Sequence, residues 1–386
     1  MAVLSGLEVL YQAGFDRLKG RRVGLLTNPS AVTRDLASAY DLFRSAPNVD
    51  LKALFSPEHG FAAVAADGVH VASSLDARTG LPIYSLYGET LRPTPAMFAG
   101  LDTLVCDIQD IGVRYYTYAW TISYALEAAG AAGVEVVILD RPNPLGAAVD
   151  GTPVSPDTLS IVGAQPIPVQ HGMTLGELMQ MVNRLWNPTP ASLHIIPCAN
   201  YQRGMTWEQT GLPFVPTSPA MPHLSSVRHY SGACLLEGTN LSEGRGTALP
   251  FEICGAPFID ASALADHLNA LHLSGVRFRP HIFTPSASKY AGEVCSGVQA
   301  HSTGADYRPL LAWIAVIRAV RHLYPEHFGW LPPVSQLPMF DLLAGSRHLR
   351  AQIDANIPLD PLIVAWDGAA SAWREQRRSF LLYEDA

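Results

Sequence analysis

Leu51-Lys52-Ala53-Leu54-Phe55-Ser56-Pro57-Glu58-His59-Gly60-Phe61 runs from an apolar segment straight into a polar turn. Leu51, Ala53, Leu54 and Phe55 predict a buried strand. Pro57 lacks the N–H that a central ladder needs, and Gly60 permits a sharp bend. Glu58 and His59 are therefore expected at the strand's carboxyl end. In open parallel α/β sheets, ligands bind outside that edge.

Outward from this stretch, strand-like and helix-like segments alternate. Residues 22–27 read as a strand ending in Asn28-Pro29-Ser30, 36–45 as a helix, and 49–55 as the strand just described. Residues 82–86 form a short strand leading to Tyr87-Gly88-Glu89, and 101–107 a longer one followed by Ile108-Gln109-Asp110. Helical spacing covers 116–129 with Gly130 as its C-cap, and 134–140 is a strand stopped by Arg141-Pro142-Asn143-Pro144. The alternation predicts an α/β class: a mostly parallel sheet with helices on both faces. Glu58, Asp107 with Asp110, and Asp140 each follow a strand, so they are expected to share one crevice. The competing reading is that each acid caps the next helix.

Beyond Gly151 the chain is richer in proline. A helix over 173–186 carries a capping box from Thr174 and Glu177, and 194–197 reads as a strand. Residues 212–222, with four prolines, read as a connection, and a domain boundary is placed near Tyr230. The expected domains are 1–229, built on the parallel sheet, and 230–386, smaller and α+β. In the second, 233–236 reads as a strand, and 264–271, 310–323, 363–366 and 373–378 as helical segments.

Composition narrows the function. The chain has 386 residues, 48% of them hydrophobic and 16% charged, which fits a well-buried enzyme of two or three domains. A net charge of −8 with no basic stripe argues against nucleic acid as a partner. Five scattered cysteines without a CxxC argue against a disulfide framework or a zinc site, and Cys106 reads as a buried thiol. No apolar run reaches the length of a membrane span, about 18 residues. Met1 to Gly20 lacks the pattern of a signal peptide, so a cytoplasmic location is expected.

Three further segments carry chemistry. Asp107, Gln109, Asp110, Arg114, Tyr115 and Tyr116 lie close together after a buried strand. There the acids and Arg114 can form a buried ion pair and the tyrosines can stack on sugar faces. Asp140, Arg141 and Asn143 sit in a loop stiffened by two prolines, which suits preorganised binding. Glu237, Asn240, Glu243 and Arg245 share a glycine-rich loop lacking GxGxxG or Walker A order. Each has a plainer reading: a structural salt bridge, a rigid strand exit, or a solvated hairpin. The histidines form no metal-binding pattern, and no GxSxG elbow occurs, so neither a metal nor another cofactor is expected.

In order along the chain, LLTNPS, LFSPEHGF, GLPIYSLYG, PTPAMFAGLDTLVCDIQDIGVRYYTY, LDRPNPLG, HGMTLGEL, TGLPFVPTSPAMP and LEGTNLSEGRGTALPFEICGAPFID resemble the exo-β-N-acetylmuramidase family of the NamZ type. The resemblance implies a Rossmann-like N-terminal domain, a smaller C-terminal domain and an active site in the cleft between them. It implies hydrolytic release of N-acetylmuramic acid from the non-reducing end of peptidoglycan fragments, with Glu58 catalytic. Two places depart from the family's pattern. Ala62-Ala63-Val64 and Ala66-Asp67-Gly68-Val69 replace its Arg-Gly and acidic continuation, and Ser218-Pro219-Ala220-Met221-Pro222 lacks its asparagine.

On this reading Glu58 is the general acid. The counter-carboxylate is Glu243 or Glu237, or Asp110, unless the sugar's own acetamido oxygen attacks. Arg245 or Arg114 would hold the lactyl carboxylate, and Tyr115 or Tyr116 would stack on the sugar. His59, Asp107, Gln109, Asp140, Arg141, Asn143, His171 and Asn240 complete the expected binding set. The rivals are a non-enzymatic muropeptide-binding protein and a metal-assisted hydrolase using Asp107, Asp110 and His59.

Overall fold

Apolar runs bounded by proline, glycine and acids become strands nearly where the sequence expects them. The computed structural model describes residues 2–333 and 336–384. Its strands are β1 (Arg22–Thr27), β2 (Asp50–Ser56), β3 (Ser74–Leu75), β4 (Pro82–Ser85), β5 (Thr103–Asp107), β6 (Glu135–Leu139), β7 (Val149–Asp150), β8 (Gln170–His171), β9 (Leu193–Ile196), β10 (Ile253–Ala256), β11 (Val276–Phe283) and β12 (Cys295–Ser302). Two units divide the chain. One comprises Met1–Ala148, Gly172–Pro219 and Glu375–Ala386; the other comprises Val149–His171 and Ala220–Arg374.

The first unit holds a sheet in the order β3-β4-β2-β1-β5-β6-β9, parallel except for the β3–β4 pair. The chain winds one way from β1 through β2 to β4, then returns to β5 on the other side of β1. That reversal is a topological switch point at the carboxyl ends of β1 and β5, the place where open α/β sheets bind ligands. Four helices flank the sheet: α1 (Gly6–Gln12), α2 (Ala39–Ser45), α3 (Tyr118–Ala132) and α4 (Leu175–Leu185). Leu7 and Leu10 of α1 and Phe43 of α2 pack with Val23, Leu25, Leu54, Val105, Val137 and Leu139 of the sheet. Burial on this scale is the main force that closes the unit.

Thr174 and Glu177 cap α4 reciprocally, as the sequence reading expects. The end of α3 differs from expectation. Its C-cap is Gly133 at φ 69°, whereas a Cβ on Gly130 would lie 2.0 Å from the Thr189 carbonyl oxygen. Gly130 is needed for close packing, and the helix runs on past it.

The second unit has an antiparallel sheet, β10-β12-β11, and the short β7–β8 ribbon. Helices Leu224–Ala233, Ala261–Asn269 and Pro309–Leu323 accompany it. Residues 233–236, expected as a strand, instead end one helix and enter a 3-10 turn, Cys234–Gly238. Their apolar side chains suit a buried helix end as well as a strand, and length alone does not separate the two. The segments at 363–366 and 373–378 are parts of one longer element, Asp360–Arg377, followed by a 3-10 turn. The units are discontinuous, where the sequence suggested one break at 229/230. Val149–His171, closed on itself by β7–β8 pairing, joins the second unit through contacts such as the Arg308–Asp150 ion pair at 2.7 Å, a long-range contact invisible to composition. Among the described residues no helix is long and apolar enough to cross a membrane. All five cysteines are buried free thiols.

Candidate active site

Glu58 and His59 follow β2 directly, and both are buried. His59 (φ 70°) and Gly60 (φ 80°) are consecutive left-handed residues, so the backbone turns sharply as it leaves the strand. A non-glycine residue in that region is uncommon and worth a functional look. Glu58 Oε2 accepts a 2.6 Å hydrogen bond from Thr117 Oγ1, and Oε1 accepts one of 2.9 Å from the Gly68 N–H. Burial, with the Glu58 carboxylate alongside, pushes the Tyr87 phenol well up. His59 Nδ1 donates to the Ala65 carbonyl at 2.8 Å, which leaves Nε2 3.9 Å from Asp67. The segment that departs from the family pattern thus supplies the partners that hold the Glu-His pair.

The β1 and β5 exits meet beside this turn. The Gln109 N–H donates to Ser30 Oγ at 3.3 Å, and the Gln109 amide donates to the carbonyls of Asp110 and Pro142. Asp110 Oδ2 accepts the Gly112 N–H at 2.7 Å. Burial pushes this carboxyl up to about 7, partly offset by the Gly112 and Ile111 amides. Burial also brings Arg114 down to about 10. Tyr116 and Tyr118 pack edge to face, 4.7 Å between centroids. Tyr116 donates to Thr217 Oγ1 at 2.6 Å, and Tyr118 donates to the Thr217 carbonyl. Tyr115 is buried with the Arg114 guanidinium 5.9 Å from its ring centroid.

Other expected site residues are engaged in the framework. Asp107, read as a substrate-binding acid able, like Asp110, to pair with Arg114, instead gives both its oxygens to Arg141, at 2.6 and 3.0 Å. The register explains this correction: β6 lies beside β5, so the residue leaving β6 reaches the Asp107 carboxylate in a bidentate fork. Asp140 accepts from Thr174, Tyr383 and the Gly176 N–H at the start of α4, and burial raises it to about 6. Asn143 bridges the Met173 carbonyl and the Leu145 N–H. Asp107 being held by Arg141, the trio of Asp107, Asp110 and His59 is not left open for a metal. Among the described residues no three His, Cys, Asp or Glu side chains gather as a metal cluster.

In the second unit, Arg245 Nη2 donates to Glu237 Oε1 at 2.7 Å, and its Nε lies 3.3 Å from Glu243 Oε1. Lys289 Nζ donates to Glu243 Oε2 at 2.9 Å and to the Leu236 and Leu241 carbonyls. Asn240 braces the backbone of His327 and Gly329. His171 ends β8, and its carbonyl accepts from the Trp373 indole. Sequence reasoning missed Thr117, Tyr87, Tyr118, Thr217 and Lys289 as site partners. Tyr87 had one visible signal, its place just after a short strand; Lys289 had none, since it reaches its partners only in three dimensions.

Buried carboxyls at the switch point of a Rossmann-like sheet, with a second α+β unit in the same chain, define a two-unit α/β protein with a candidate acid site. Comparison narrows the class. The family model described as exo-β-N-acetylmuramidase NamZ, N-terminal, matches residues 23–225, and its C-terminal counterpart matches 228–383. The chain is 42% identical over 383 residues to the peptidoglycan β-N-acetylmuramidase NamZ of Bacillus subtilis (strain 168), covering 99% of this chain and 91% of that protein. Two crystal structures of DUF1343 family proteins from Bacteroides fragilis NCTC 9343 are also similar. One has a TM-score of 0.91 at 36% identity and covers 99% of both chains; the other has 0.77 at 30% and covers all of both. The chain belongs to the NamZ family of exo-β-N-acetylmuramidases, a family of glycosidases.

Proposed function

We propose that this protein releases N-acetylmuramic acid from the non-reducing end of peptidoglycan fragments, with Glu58 as the general acid. The observation that carries the residue assignment is the setting of Glu58. It is a buried carboxyl at the carboxyl edge of a parallel sheet, with one oxygen held by a hydroxyl and the other by a backbone amide. Such a clamp holds a proton donor in one orientation against a scissile oxygen. In this reading Arg114 or Arg245 recognises the lactyl carboxylate, for which a planar guanidinium is suited. Tyr115 and Tyr116 supply aromatic surface for the sugar.

The test is Glu58→Gln assayed on a chromogenic N-acetylmuramide, with circular dichroism to confirm folding. Turnover is expected to vanish while the fold persists. Near-wild-type activity would remove Glu58 from the chemistry, and a wild-type protein that cleaves the glucosaminide control equally well would remove the muramic acid specificity.

A further inference from the structure

We infer that Asp110 is the second carboxyl of the reaction, the base that takes a proton from the attacking water. The inference rests on the glycosidase reading with Glu58 as acid. Sheet order supplies the first argument. Glu58 leaves β2 and Asp110 follows β5, the two strands flanking β1 at the switch point. Neighbouring strands lie about 4.8 Å apart, so the two exits stand roughly 10 Å apart across the crevice. Their side chains bear on one aromatic pair: the Asp110 charge acts on Tyr116 and the Glu58 charge on Tyr118. Inverting glycosidases keep their carboxyls about 6.5–9.5 Å apart, leaving room for a water, and two exits at this spacing can present such a pair.

Hydrogen bonding supplies the second argument. Asp110 Oδ1 is buried and has no hydrogen-bond partner in the protein, while Oδ2 takes the Gly112 amide. A buried acceptor left unmatched costs about 1–3 kcal/mol, and native proteins keep few of them. The other acids are engaged. Asp107 is forked by Arg141, Asp140 accepts three donors, and Glu243 meets Arg245 and Lys289. Glu237 takes Arg245. Burial also places the Asp110 carboxyl near 7, the range in which a base works best at neutral pH.

In the step, the water oxygen bonds to C1 of the sugar and its proton passes to Asp110 Oδ1. The glycosidic C1–O bond breaks, its electron pair stays with the leaving oxygen, and that oxygen takes the Glu58 proton. The products are N-acetylmuramic acid inverted at C1 and an aglycone with a free hydroxyl.

Proton NMR of a muramic-acid-terminated disaccharide during turnover is the first measurement, and the α-anomer is expected to appear first. Asp110→Asn should lose roughly 10²–10⁴-fold in kcat with KM changed only a few-fold. Asp110→Ala should regain turnover with azide, giving the α-glycosyl azide. A β-anomer formed first, an Asp110→Asn rate within tenfold of wild type, or no azide rescue would each overturn the inference. A wild-type protein that releases no muramic acid would instead overturn the glycosidase reading.

Discussion

The hydroxyl of Thr117, at the N-cap position of α3, is turned away from its helix and donates to Glu58 at 2.6 Å. An N-cap threonine ordinarily satisfies the first free amides of its own helix. Here it makes no such cap and instead orients the carboxyl 59 residues earlier in the chain. Thr117→Val should therefore reduce kcat by roughly 10–100-fold, the value of a hydrogen bond to a charged group. Thr117→Ser should keep most of the rate. Thermal melts should show for the valine variant only the loss of this one bond, about 1–3 kcal/mol, because no helix cap is lost. Steady-state kinetics within twofold of wild type for the valine variant would show that this bond does not matter.

Asp107 and Arg141 were expected to bind substrate, and they bind each other, both of them buried. Removing one partner of such a pair leaves an uncompensated buried charge, costing about 3–5 kcal/mol. Asp107→Asn is expected to lower urea stability by that order while KM stays within a few-fold of wild type at a temperature where it remains folded. A KM rise of tenfold or more in the folded variant would assign the pair to substrate after all.

Stability should fall with rising pH on account of Asp110. Burial raises its carboxyl to about 7 in the folded chain, above an unfolded value near 3.9, so the folded state binds the proton more tightly. That contribution is complete below about pH 4 and is lost as pH climbs through about 7. Tyr116 is a titratable side chain that feels its charge. Asp110→Asn cannot ionise, so its melting temperature should match wild type near pH 3, below both values, and exceed it at pH 8. The gap corresponds to at most about 4 kcal/mol. Calorimetry at the two pH values decides this, and an equal difference at both would mean that Asp110 does not titrate in the window.

Two glycines of α3 should respond differently to alanine. At Gly130 a Cβ would meet the Thr189 carbonyl at 2.0 Å, whereas at Gly133 it meets nothing within 4 Å and only the positive φ opposes it. Gly133→Ala should cost about 1–2 kcal/mol, the penalty of a left-handed residue. Gly130→Ala should cost more, since backbone must move. Urea midpoints in the opposite order would contradict the packing account.

The sequence by itself determined the central strands of the first unit's sheet and the edge they share. β1 occupies the residues read as a strand, and β2, β5 and β6 end within a residue of their expected limits. An apolar run stopped by Pro57, Asp107 or Pro142 is a local signal that needs no partner to be legible. The capping box of α4 was legible for the same reason, its two residues being three apart. Tertiary structure alone decided which polar groups meet. Sheet order brought Arg141 rather than Arg114 to Asp107, a turn of α3 carried Thr117 to Glu58, and a distant loop delivered Lys289 to Glu243. Strand limits follow from neighbouring residues, whereas hydrogen-bond partners follow from which strands lie side by side. That is why the acids could be read from the chain, and why their roles depended on the fold.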